Sequence, residues 1–163
     1  MRTIDGLIKY VDSMVGNPYW PGAYGQKASK TLEKKLRDEC ESLWSKIGDV
    51  SDDYRKPVHD ATGLIKGYLW KSEGQPVYKQ SEDLSAYGFY RLAPNKGKRD
   101  TCPRCNGMLV YKSITSNTIG INHIGVYANG FVYECVPGKG VVKTKFDIRD
   151  WPFWSDCTFI HDI

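Results

Sequence analysis

No stretch of this 163-residue chain approaches the roughly 20 consecutive apolar residues a membrane-crossing helix requires, so no membrane insertion is expected. No secretory leader is expected in the first residues either. Met1 to Gly16 is amphipathic and carries Asp5 and Asp12 in its middle, so the chain is expected to start in the cytoplasm or to be cut from a longer one. Cysteine is sparse and odd in number, five in all, and a chain this long needs no disulfide framework, so reduced thiols are expected. Internal repeats and low-complexity linkers are absent, which points to one domain over 1–163. Neither sign of charge dominates. The formal charge of +4 favours anionic surroundings without choosing between nucleic acid and cell wall. No nucleic-acid motif accompanies Lys96, Lys98 and Arg99, so that run reads as a solvated loop and no nucleic-acid partner is expected.

What is present is an aromatic-rich chain, 13% in all, with 5 Trp and 11 Tyr, suited to a core and equally to sugars and flat peptide groups. Ile4, Leu7, Ile8, Val11 and Val15 recur at helical spacing, with Thr3 as N-cap and Gly16 as the stop. Residues 17–28, rich in Pro, Gly and aromatics, read as a structured loop. A second helix is predicted over 31–47 with Leu32, Leu36, Leu43 and Ile47 on its apolar face. A third carries Ala61, Leu64, Ile65, Tyr68 and Leu69 behind an Asp60 cap, and a fourth spans about 82–92. From Gly107 the pattern changes to strands at 108–112, 123–128, 131–136 and 141–146, with a short last one near 158–160. Helices first and strands afterwards indicate an α+β domain with a largely antiparallel sheet.

The segment Asn122 to Glu134 is the most informative. Asn129-Gly130 between two alternating runs signals a two-residue hairpin, because both turn positions need positive φ. Ala128 then pairs with Phe131 and Val126 with Tyr133, and His123, Gly125 and Glu134 share one face. His123 and Glu134 become diagonal neighbours, and Gly125 leaves space for the imidazole. A carboxylate beside a histidine fixes its tautomer and stabilises its charged form, as a general base requires. Taken alone, such a pair is more often a solvated cross-strand contact.

Two further segments shift that balance. Val58-His59-Asp60-Ala61-Thr62-Gly63-Leu64-Ile65 resembles the nucleophile motif of the NlpC-type cell-wall cysteine peptidases, Asp-Cys-Ser/Thr-Gly-Leu-Ile/Val. It matches at Asp60, Thr62, Gly63, Leu64 and Ile65 and departs at Ala61, where the family has its cysteine. Gly16-Asn17-Pro18-Tyr19-Trp20-Pro21-Gly22-Ala23 is similar to the family's Gly-x-Pro-Tyr-x-x-Gly-Gly segment, with Ala23 for the last glycine. The order Tyr19, position 61, His123, Glu134 is the family's order, and the resemblance spans Gly16 to about Val136.

The resemblance implies a papain-like fold, N-terminal helices packed on the sheet, and cleavage of an amide bond in the peptidoglycan stem peptide. It implies that position 61 is the nucleophile, His123 the base, Glu134 its orienter, and that Tyr19, Trp20 and Asp60 face the substrate. Alternatives are an N-acetylmuramoyl-L-alanine amidase of the same fold and a non-catalytic wall-peptide binder. No metal or organic cofactor is expected. The expected partners are wall stem peptides, with an inhibitor or immunity protein or a separate wall-binding domain as further candidates, in a phage-type lysin or an exported toxin.

Alanine cannot form a thioester, so the chain as written is expected to be inactive. A deliberate Cys→Ala replacement and a natural pseudoenzyme both account for it, and the retention of Tyr19, Asp60, His123 and Glu134 favours the replacement. Cys40 reads as a surface or core-edge thiol, Cys135 as core, and Cys157 has no identifiable partner. Cys102-Pro103-Arg104-Cys105 is half of a zinc knuckle whose completion by Cys135, Cys157 or His161 is remote in sequence, so loop thiols are the preferred reading. His59 reads as a flank of the nucleophile motif and His161 as exposed.

Overall fold

In the computed structural model, which describes residues 1–161, the first helix forms where the sequence caps it. In α1 (Ile4–Met14), Thr3 Oγ1 accepts the Gly6 N–H at 3.0 Å, Leu7 and Val11 are fully buried, and Gly16 at φ +94° follows the end. After it come β1 (Tyr24–Lys27), α2 (Lys30–Glu39), α3 (Glu41–Trp44), β2 (Pro57–His59) and α4 (Gly63–Leu69). Next are α5 (Ala86–Leu92), β3 (Lys96–Lys98), β4 (Leu109–Ser113), β5 (Ile121–Ala128), β6 (Phe131–Val136), β7 (Gly140–Lys145) and β8 (Phe153–Ser155). The expected α+β architecture, with helices ahead of an antiparallel sheet, is the one the chain adopts.

Four local expectations are corrected. The helix over 31–47 is broken at Cys40, whose backbone leaves the helical region. The break rotates the chain so that Trp44 enters the core and Leu43, placed on the apolar face by periodicity, stands 60% exposed. A buried indole removes more apolar surface than a leucine, and Trp44 Nε1 donates to the Pro21 carbonyl at 3.0 Å. The fourth helix starts at Ala86 rather than near Glu82, because Ser85 caps it and Glu82 is held by Arg2 and Trp70 Nε1. Residues 24–27 and 57–59, read as loop and flank, pair as a small two-stranded sheet. No strand forms at 158–160. Thr158 instead donates to the Phe89 carbonyl, and the last strand is β8, whose Phe153 and Ser155 point inward.

The main sheet has the order β3-β8-β4-β5-β6-β7, antiparallel throughout. Its two faces bury different clusters, as strand alternation requires. Ile124, Val126, Tyr133 and Cys135 join Leu7 of α1, Leu64 and Ile65 of α4 and Phe89 of α5 in the larger core. Val110, Tyr127, Val132 and Trp151 form a smaller cluster on the other face. A third cluster centres on Trp20, Trp44, Leu36 and Val58 beneath α2.

Trp20 is fully buried against Trp44, with ring centroids 5.3 Å apart, and its Nε1 donates to Asp53 at 2.8 Å. Trp20→Ala is expected to cost about 3–5 kcal/mol in urea unfolding, and Trp20→Phe clearly less. Equal losses would mean that the indole hydrogen bond, not the buried volume, holds this cluster.

Candidate active site

The site begins with a turn. Asn129 and Gly130 take φ +53° and +87°, and the ladder above them pairs Ala128 with Phe131 and Val126 with Tyr133, the expected register. That register brings His123 Nε2 to 2.8 Å from Glu134 Oε1. Glu134 is 7% exposed and His123 half-buried. With Nε2 engaged, Nδ1 is the ring nitrogen left for a reacting proton.

The sheet places two side chains beside this pair that sequence patterns do not announce. Trp151 lies against the imidazole, ring centroids 6.0 Å apart and planes 25° apart. Lys112 is the β4 residue paired with His123, and its Nζ lies 4.6 Å from the centre of the Trp151 ring. The space at Gly125 is taken by Val132 and Trp151 rather than by the imidazole. A Cβ there would stand 2.7 Å from Val132 Cγ1 and 3.2 Å from Trp151 Cη2. A register for β4 or a seat for Trp151 has no local signal; both come from segments far apart in sequence.

The segment at 58–65, which resembles the family's nucleophile motif, is held against the sheet by the loop at 16–23. Gly16 N–H donates to Val141 O and Val141 N–H to Asn17 O, both at 2.9 Å, tying the loop to β7. Trp20 N–H donates to His59 O at 2.9 Å and Asp60 N–H to Ala23 O at 2.9 Å, tying it to the motif. Cys135 Sγ donates to the same His59 carbonyl at 3.2 Å, so the motif backbone lies against the residue next to Glu134. Among the described residues no hydrogen bond or ring contact joins His123 or Glu134 to Tyr19, Asp60 or Ala61. The pair occupies the Trp151 face of the sheet, and Ala61 packs on the larger core.

α4 opens at Gly63 with Thr62, not Asp60, at its cap position; Asp60 is half-buried, its Oδ1 accepting from Gly63 N–H at 2.6 Å and its Oδ2 from Gly22 N–H at 3.0 Å. Burial raises its pKa, opposed by the nearby Lys66 charge and those N–H donors. Tyr19 is half-buried; burial, with Asp60 and then Cys135 adding to it, holds its phenol protonated well above the ordinary value. Trp20 cannot face a substrate as expected, because it has no exposed surface and its N–H is already used. Cys135 is a core thiol whose pKa is raised mainly by burial, which leaves it unreactive. Cys102 and Cys105 have no third ligand: no cluster of three metal-binding side chains exists among the described residues.

Beside Asp60 opens a cleft of about 520 Å³, walled by Gly22, Tyr24, Cys40, Tyr78 and the Lys66–Asp83 ion pair at 2.7 Å. Its wall thus carries a cation and an anion paired with each other. The ion pair joins residues 17 apart and has no motif to announce it.

His59 is no flank. It is fully buried, its Nε2 lies 2.7 Å from Tyr10 Oη, and burial pushes its pKa from 6.5 down to about 4. Between those values the unfolded chain binds a proton that the folded chain does not, so stability rises with pH there and is lost on acidification. The expected loss is about 3 kcal/mol, at about 1.4 kcal/mol for each pH unit between the two values. Urea unfolding at pH 7 and pH 4 checks it, and His59→Gln should flatten the difference. An undiminished acid loss in that variant would place its origin elsewhere.

No protein-family model matches the sequence, and no curated protein does. Solved structures do. RipD from Mycobacterium tuberculosis, described as a non-catalytic NlpC/p60 domain protein adapted to peptidoglycan binding, is 16% identical, with a TM-score of 0.55 over 95% of this chain and 97% of its own. The P60 domain of the M. avium subspecies paratuberculosis antigen MAP1204 gives 0.52 at 18% identity, over 94% and 93%. RipA, the resuscitation promoting factor interacting protein, in a form mutated at a cysteine, gives 0.55 at 17%, over 94% of this chain and 61% of its own. The chain has the NlpC/p60 fold.

Proposed function

We propose that this chain recognises stem peptides of bacterial peptidoglycan on the scaffold of a cysteine hydrolase, and that Ala61 leaves it able to hold an amide bond but not to cut it. The observation that carries the reading is the His123–Glu134 contact at 2.8 Å, with Nδ1 open, on strands packed against the backbone of the nucleophile motif. With cysteine at position 61, the thiol gives its proton to His123 Nδ1 and the sulfur attacks the peptide carbonyl. The step requires the position-61 sulfur and His123 Nδ1 within hydrogen-bond reach of each other in the substrate complex. His123 returns the proton to the leaving amine, and water then hydrolyses the thioester. Glu134 holds the ring and stabilises the imidazolium. The developing oxyanion is met by the position-61 N–H and by the Tyr19 hydroxyl, which its surroundings keep protonated and so able to donate. The cleft beside Asp60 accommodates the peptide.

A second reading, a binder with no catalytic past, is favoured by Ala61 itself and by the likeness to RipD. Purified peptidoglycan incubated with the chain and with Ala61→Cys, followed by mass spectrometry, separates the two. The expected result is stem-peptide fragments from the cysteine variant alone, their masses distinguishing an endopeptidase from an amidase. His123→Ala in that background should then lower kcat on the order of 10²–10⁴-fold. A well-folded Ala61→Cys chain that binds peptidoglycan and releases nothing from several wall types would leave the binding reading in its place.

A further inference from the structure

We propose that Trp151 is a positioning residue for His123, holding the imidazole plane so that Nε2 meets Glu134 and Nδ1 stays free for the reacting proton. The kinetic part of this inference rests on the hydrolase reading above; the structural part does not. One hydrogen bond from a ring nitrogen leaves the ring able to swing about that bond, so a base held to productive geometry needs a second restraint on its face. The indole supplies it, with planes 25° apart and ring centroids 6.0 Å apart.

Trp151 is itself fixed. It is 4% exposed and packs in the cluster with Val110, Tyr127 and Val132. Gly125, two residues from His123 on the same face, has no Cβ to push the ring away. Lys112 covers the indole with its ammonium 4.6 Å from the ring centre and is the β4 partner of His123. The order across the sheet face is therefore a cation, an indole, an imidazole and a carboxylate. Plain core packing would bury Trp151 equally well, but it would not require the near-parallel placement on the histidine.

The test uses the chain as written with isotope-labelled histidine. NMR is expected to show His123 as one tautomer, protonated at Nε2, with ring protons shifted by the stacked indole. Trp151→Leu should lose that shift and mix the tautomers. Trp151→Phe should keep the tautomer with a smaller shift. In the Ala61→Cys background Trp151→Leu should lower kcat on the order of 10–100-fold with KM unchanged, and Trp151→Phe should restore most of it. A Trp151→Leu chain with the parent tautomer would overturn the proposal. Should that variant not fold, Trp151→Phe decides alone, since the parent ring shift in it would mean the indole does not touch His123. If Ala61→Cys cuts nothing, the hydrolase reading fails while the NMR result still decides the role of Trp151.

Discussion

The register of β5 against β6 is the constraint on which the rest depends. Two residues, Asn129 and Gly130, adopt left-handed backbone, and a two-residue turn permits only one pairing of the strands it joins. A slip by one residue would turn His123 toward α4 and send Ile124 and Val126 out of the larger core. The hydrophobic pattern and the His123–Glu134 pair thus enforce the same register from opposite faces of the sheet.

Around that hairpin the structure is a matter of tying distant segments to one place. The loop at 16–23 bonds to β7 on one side and to the nucleophile motif on the other, and the His59 carbonyl receives both Trp20 N–H and Cys135 Sγ–H. Trp20 anchors this clasp from below. Its burial explains why an aromatic beside a candidate site tyrosine serves the scaffold and not the substrate. The neutral, buried His59 belongs to the same clasp. Its acid sensitivity follows from placing an imidazole where no solvent reaches it.

Expectations failed where a local rule met a competing burial. Periodicity carried the second helix through Leu43, but Trp44 had more surface to hide and the chain broke at Cys40 to hide it. The C-terminal strand moved from 158–160 to Phe153–Ser155, where Tyr111 Oη and Ser155 Oγ meet inside the sheet at 2.7 Å. A serine facing inward carries no hydrophobic signal, so alternation could not reveal it.

The sequence by itself determined the first helix and its cap, the Asn129-Gly130 hairpin, the shared face of His123 and Glu134, the order of the motif segments and the alanine at position 61. Each of these is set by side-chain type and spacing along the chain. Only the tertiary structure decided that Trp151 and Lys112 flank the histidine, that Trp20 and His59 are interior, and that Lys66 and Asp83 wall the cleft beside Asp60. These depend on which strands become neighbours and which faces they bury. That choice is made by the packing of the whole chain, and no local window of residues encodes it.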